Sequence, residues 1–227
     1  MDVKQICRYL PLLALALVSI QPGKAQSTVD VNMGFGSAQD KANTGLDATS
    51  ANFAECTAST TVCAKTPSLS GFMLGFGANA ILWKKFGIGG EANFQTGKQS
   101  YADLSATQGF LLKSRVTFYD FDGIYQPVNQ PKTTVQILGG VGGVNTKFYE
   151  GLASGSLLGN SANGNYAISS SNHFQVHGGV GVQLYVSGNF FIRPQFDIHY
   201  VPNFIQFGSN LVTSESVWVG YTLGDRQ

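Results

Sequence analysis

Between His173 and Val186 the chain reads HFQVHGGVGVQLYV, an alternation that allows very few folds. Phe174, Val176, Val180, Val182, Leu184 and Val186 fall at every second position, with Gly178 among them. The positions between hold His173, Gln175, His177, Gly179, Gly181, Gln183 and Tyr185. A period of two marks a β-strand with two unlike faces. In a water-soluble protein the apolar face would cover a core. In a membrane barrel it would face lipid, and the Gly/Gln/His face would line the lumen. After residue 25 no apolar run approaches the roughly 20 residues of a spanning helix, so a membrane-crossing form of this chain must be a closed barrel.

The barrel test is whether such segments recur an even number of times with connections alternately short and long. Eight are found. Thr28–Gly36 sets Val29, Val31, Met33 and Phe35 against Asp30, Asn32 and Gly34. Leu69–Trp83 sets Phe72, Leu74, Phe76, Ala78 and Ala80 against Met73, Gly75, Gly77 and Asn79. After Lys84-Lys85, Phe86–Thr96 sets Ile88, Ala92 and Phe94 against Gly89, Glu91, Asn93 and Gln95. In Leu112–Tyr125, Asp120 and Asp122 must point inward, because two carboxylates in lipid would cost on the order of several kcal/mol. Thr133–Tyr149 carries Val135, Ile137 and Val141 outward, and His173–Val186 is the sixth segment. Phe190–Val201 sets Ile192, Phe196, Ile198 and Tyr200 against Arg193, Gln195, Asp197 and His199, and Ser216–Leu223 turns Val217, Val219, Tyr221 and Leu223 outward.

Connections after segments 1, 3, 5 and 7 are long and rich in Ser, Asn, Thr and Gly, whereas those after 2, 4 and 6 are short. A sandwich has no reason to alternate this way; a transmembrane barrel has turns on one side and loops on the other. Trp83, Phe86, Tyr125, Phe148, Tyr149, Phe190, Tyr200 and Trp218 near segment ends suit interfacial girdles. Pro194 removes a ladder donor in a fold without edges, so a bulge is expected there. The competing fold is a soluble secreted β-sandwich or lipocalin-like barrel, with the same alternation around an apolar interior. Inward glycines at 75, 77, 179 and 181 favour the membrane form, since eight strands leave an interior only wide enough for side chains.

The N-terminus has its own pattern. Lys4 and Arg8 precede an apolar run from Tyr9 to Ile20, and Gly23-Lys24-Ala25 places small residues at a cleavage site. This reads as a secretory signal peptide over residues 1–25, with the barrel domain over 26–227. As a membrane anchor the run is too short and is broken by Pro11. Cys7 lies before the run, which excludes a lipoprotein. Processing removes Lys4, Arg8, Lys24 and Asp2, taking the 14 basic and 13 acidic residues to 11 and 12. Such a balance has nothing to attract nucleic acid. Cys56 and Cys63 stay in the exported chain and read as a disulfide closing a small loop; a metal site made from them would be under-liganded.

The segments TFYDFDGIY, GGVGGVNTKFY and HFQVHGGVGVQLYV with its following hairpin resemble the OmpA-type eight-stranded outer-membrane barrel family, and within it barrels found in acidobacteria. The resemblance covers the exported chain and implies fold and location rather than an activity. Two departures are visible. Tyr221-Thr222-Leu223 is followed by Gly224-Asp225-Arg226-Gln227 where the family ends in an aromatic assembly signal, and the peptidoglycan-binding domain of longer members is not expected.

Candidate functional residues fall on the inward faces. Asp30, Glu91, Asp120, Asp122, Arg193 and Asp197 form a polar network, read either as a gate or selectivity ring or as a paired, hydrated core. The three histidines, His173, His177 and His199, also face inward. If Ser187-Gly188-Asn189 forms a three-residue loop, His177 lies opposite His199 with the imidazoles about 5 Å apart. Such a pair can bind a metal, repel on protonation, or simply fill the lumen; no metal site is assigned, and no cofactor is expected. Gly139-Gly140-Val141-Gly142-Gly143 is a barrel strand and not a dinucleotide fingerprint, since no helix follows it. The His-x-Ser pair of deacylase barrels is missing, because Gln175, Gly179 and Val201 stand two past the histidines. Ser171 beside His173, with Glu150 or Asp103 as orienter, is the remaining nucleophile–base candidate.

The expectation is therefore an all-β, eight-stranded antiparallel transmembrane up-and-down barrel in the outer membrane, with periplasmic termini and four external loops. A structural or surface-interaction role through the loops is expected. A narrow porin-like pore is the alternative, and an envelope-lipid-modifying enzyme a distant one. Expected partners are outer-membrane lipid and lipopolysaccharide, periplasmic chaperones and the barrel-insertion machinery; the chain is expected to be a monomer and not an enzyme.

Overall fold

A computed structural model describes residues 27–40, 69, 71–83, 85–104, 110–152, 165–204, 207 and 209–224. Residues 1–25, expected to be a leader, and Cys56 and Cys63 lie outside the described residues. Strands β1 (Thr28–Asp40), β2 (Phe72–Trp83), β3 (Phe86–Gln95), β4 (Gln99–Leu104), β5 (Phe110–Asn129), β6 (Thr133–Leu152), β7 (Asn165–Ser187), β8 (Phe190–Tyr200) and β9 (Leu211–Leu223) form one sheet. Every pairing is antiparallel. The first strand pairs with the last from Val29↔Leu223 to Asp40↔Val212, which closes the sheet on itself. β3 and β4 run successively along the same side of β5, so nine strands occupy eight positions of the ring. The fold is an eight-stranded antiparallel up-and-down barrel of the transmembrane type. β4 is the element that sequence periodicity does not announce: Thr96-Gly97-Lys98 interrupts the third strand, and pairing resumes at Gln99↔Ser114.

The barrel is polar inside and apolar outside. On β8 the faces alternate without a lapse, and Phe191, Arg193, Gln195, Asp197 and His199 are buried while Ile192, Phe196, Ile198 and Tyr200 are exposed. The outer belt continues through Val31, Met33, Phe35, Phe76, Ile88, Phe121, Ile137, Val141, Val176 and Val180. A contiguous apolar surface of this extent needs an apolar medium. Trp83, Phe86, Tyr125, Phe190 and Tyr200 are exposed near strand ends, with Phe86 stacked on Tyr125 at 5.0 Å. Tyr149 is half-buried, and the Lys98 ammonium sits 3.9 Å above its ring.

Three expectations need correction. Trp218 and Phe148 are not girdle residues. Trp218 is fully buried and Phe148 nearly so, because each shares the inward parity of its strand. Pro194 brings no bulge. It pairs with Val217 on one side, and on the other the register is the same before and after it, from Gly181↔Gln195 to Leu184↔Ile192. Val182 and Gln183 merely leave the ladder where the pyrrolidine nitrogen has no N–H to give. The irregularity sits instead between Tyr185 and Ser187, beside a two-residue turn at Gly188-Asn189 with Gly188 at φ 53°. This tight turn and bulge shift the pairing as much as the expected three-residue loop would, and His177 lies opposite His199.

The interior is filled in layers. At the long-loop end an apolar cluster contains Leu69, Met73, Val116, Phe118, Phe148 and Val212, closed by Phe204 and Phe207 stacked at 4.5 Å. At the short-turn end Ile81, Ile124 and Leu138 cluster together. Between them lies Trp218, whose ring occupies the space that side chains at Gly34 and Gly75 would take. A Cβ on those glycines would stand 2.5 Å and 2.6 Å from the indole. These two glycines are therefore the notch for one large residue.

Gly34→Val is expected to lower stability toward urea by about 1–3 kcal/mol through overpacking against Trp218. Gly139→Ala, where nothing lies within 4 Å of an added Cβ, should stay within about 0.5 kcal/mol of the parent. Equal effects of the two substitutions would refute the notch.

Candidate functional site: the polar interior of the barrel

Strand parity places every candidate of the polar network inside. Asp30 on β1, Glu91 on β3, Asp120 and Asp122 on β5, and Arg193 and Asp197 on β8 are all buried. Burial of so many charges demands partners, and a chain of contacts from Asp30 to Asp122 supplies most of them, with Asp120 held apart by Gln175. Asp30 accepts from Thr222 at 2.6 Å and from Gln183 Nε2 at 3.3 Å. Gln183 Oε1 accepts from Gln136 Nε2 at 2.7 Å, and Gln136 Oε1 accepts from Arg193 Nη1 at 2.9 Å. With its amide oriented as its neighbours require, Asn79 accepts from the same Nη1 at 2.7 Å. Arg193 Nη2 donates to Glu91 Oε1 at 2.6 Å, and its guanidinium lies 5.4 Å from the Trp218 ring.

The second half of the chain runs through Gln195. Its Nε2 donates to Glu91 Oε2 at 3.0 Å and to Asp197 Oδ1 at 3.0 Å. His177 Nε2 meets Asp197 Oδ1 at 3.1 Å, and His177 Nδ1 meets Asp122 Oδ1 at 2.9 Å. Asp120 accepts from Gln175. β3 and β8 stand on opposite sides of the ring, so the Glu91–Arg193 pair crosses the whole lumen. Gly181 leaves room for the Arg193 stem: a Cβ there would sit a tight 3.1 Å from its side chain.

The histidines separate into two environments. His177 and His199 stack across the β7–β8 ladder with centroids 4.6 Å apart and planes 16° from parallel. Phe118 covers His199 from the loop side at 5.0 Å. His173 lies nearer the loops, edge-on to Phe204 at 5.4 Å, with its Nε2 3.0 Å from Ser171 Oγ. Ser171 also contacts the Thr146 hydroxyl at 2.6 Å. The Glu150 and Asp103 side chains lie outside the described residues, so this serine–imidazole contact has no described orienting carboxylate.

Several participants were invisible to residue-type reasoning. Gln136, Gln175, Gln183 and Gln195 carry no titratable group, yet Gln136, Gln183 and Gln195 link the ionic residues to one another and Gln175 holds Asp120. Their inward parity was the available signal. Asn79 and Trp218 complete the shell around Arg193.

No family model matches this chain, and no curated protein does either. The fold does match solved barrels. The Ail attachment invasion locus protein of Yersinia pestis, in complex with the heparin analogue sucrose octasulfate, is similar with a TM-score of 0.52 at 12% identity, over 87% of this chain and 99% of that one. A major outer membrane protein from Thermus thermophilus is similar with a TM-score of 0.58 at 11% identity, over 87% of this chain and 99% of that one. The chain thus has the architecture of bacterial outer-membrane β-barrel proteins.

Arg193→Ala is expected to cost about 3–5 kcal/mol, because it leaves Glu91 buried without its counter-charge. Arg193→Met combined with Glu91→Leu should recover most of that loss. Urea unfolding in detergent measures both. An unchanged midpoint for the single variant would rule out the cross-lumen pair.

Proposed function

We propose that this chain is an integral outer-membrane protein whose filled barrel serves as an anchor and whose four external loops do the work, by meeting other molecules at the cell surface. The observation that carries this reading is the filled lumen. Arg193, Trp218, Gln136, Gln175 and Gln183 are fully buried within it, and Phe204 and Phe207 are fully buried at the loop end. An ion path would have to breach both the aromatic cluster and the Glu91–Arg193 pair, and each is held by partners on several strands.

The outer-membrane location draws support from the apolar belt, from the fold and from the leader-like residues 1–25. The belt requires lipid, and a barrel with polar alternation passes the inner membrane because no segment is apolar enough to stop there. On this reading the leader is removed after Ala25, chaperones carry the chain through the periplasm, and the insertion machinery delivers it as a monomer into a lipopolysaccharide-bearing membrane. Kinship with the OmpA-type and acidobacterial barrels belongs to the same proposal, as does a Cys56–Cys63 staple in the first external loop. Among the structural neighbours, Ail bears the name of an attachment protein. Surface attachment through loops is the same class of role proposed here.

Planar bilayers carrying the protein, with insertion verified by a heat-dependent gel shift, are expected to show no discrete current steps. Ion-selective steps would replace this reading with the narrow pore.

A further inference from the structure

We propose that His177, Asp197 and His199 form a binding site for one divalent transition-metal ion of the zinc class inside the barrel. The imidazole nitrogens and carboxylate oxygen that these residues offer all lie within 4.8 Å of one another, and all three residues are buried. Two nitrogens and one oxygen form a donor set that suits zinc and its neighbours in the transition series; calcium and magnesium favour all-oxygen sites.

Three further features point to a ligand. Asp122 holds His177 Nδ1 at 2.9 Å, which aims Nε2 at Asp197, and a carboxylate behind an imidazole is how metal-binding histidines are commonly oriented. His199 is 3% exposed, yet its Nδ1 has no hydrogen-bond partner. A cavity bounded in part by Gly36, Met73, Phe118, Asp197, His199 and Ser214 adjoins this imidazole. The Ser214 hydroxyl lies 3.3 Å from His199 Nε2 and 3.4 Å from Asp197 Oδ2, in place to contribute a fourth donor.

Charge argues in the same direction. Asp30, Glu91, Asp120, Asp122 and Asp197 are buried together, and Arg193 is the one buried lysine or arginine among the described residues. An excess of enclosed carboxylates must be offset by protons or by a cation. A divalent ion at Asp197 would supply that charge where two carboxylates already converge on His177.

In the stacked pose the two rings cannot both direct a lone pair at one ion. Binding therefore requires His199 to turn about its Cβ–Cγ bond, giving up the stack and the long contact to Ser214. The ion would then tie β7 to β8, with β5 engaged through Asp122. The opposing role for the pair, a hydrogen-bonded filler of the lumen, entails no saturable metal uptake.

The test uses protein extracted from membranes in detergent, stripped with a chelator and titrated with Co2+, with folding verified by the heat-dependent gel shift. The expected result is saturation at one ion per chain, visible d–d bands of a low-coordinate site, and displacement by Zn2+. His199→Ala leaves both carboxylate contacts of His177 in place and should weaken binding roughly tenfold or more; Asp122→Asn, a positioning change, should weaken it about tenfold. Absence of saturable uptake by folded protein would overturn the proposal. So would uptake unaltered by both His199→Ala and Asp197→Asn.

Discussion

Glu91 and Arg193 meet across the full width of the barrel, and most of the interior is arranged around that contact. A buried ion pair is favourable only when the remaining donors and acceptors of both ions are satisfied. Here Gln136, Asn79 and Gln195 supply most of those bonds, leaving the Arg193 Nε without a hydrogen-bond partner, while Trp218 lies beside the guanidinium and Gly181 leaves room for its aliphatic stem. Each helper comes from a different part of the ring. The pair is thus a spoke joining opposite walls, and the network that continues from it to Asp30 and to Asp122 adds further spokes.

The closed ladder and the filled interior solve separate problems. Lipid offers no hydrogen bonds, so each strand must satisfy its backbone groups against neighbours, and closure through β1 and β9 removes the two edges. Closure alone would leave a narrow tube lined by carboxylates. The apolar clusters at the two ends and the hydrogen-bonded middle convert that tube into a core, with polar chemistry where a soluble protein places aliphatic side chains. The division of labour follows: the closed wall satisfies the backbone, and the filled core braces the wall from within.

Local alternation was enough to assign faces. Asp120 and Asp122 point inward as the cost of charge in lipid requires, and the outward residues of β8 and β9 alternate as the two-residue period demands. Trp218 and Phe148 show where residue type misleads, since an aromatic near a strand end suits a girdle by composition yet faces the lumen by parity. Parity was the stronger signal because a strand cannot rotate one side chain to the other face without a bulge. Pro194 misleads in the opposite sense. Loss of one donor is absorbed by a short lapse in one ladder, at less cost than a register change that would turn every later residue of β8 over.

The sequence by itself determined the class of fold, the approximate strands and the face of nearly every residue within them, because these depend on the two-residue period, whereas the His177–His199 pairing is set by a two-residue turn and a bulge in place of the expected three-residue loop. Only the tertiary structure decided which inward residues meet: that Glu91 reaches Arg193 from the far wall, that Trp218 settles into the notch at Gly34 and Gly75, and that Asp122 joins Asp197 in holding His177. Those contacts depend on the stagger accumulated around the closed ring. That stagger is the sum of every hairpin and bulge in the barrel, and no single stretch of chain contains it.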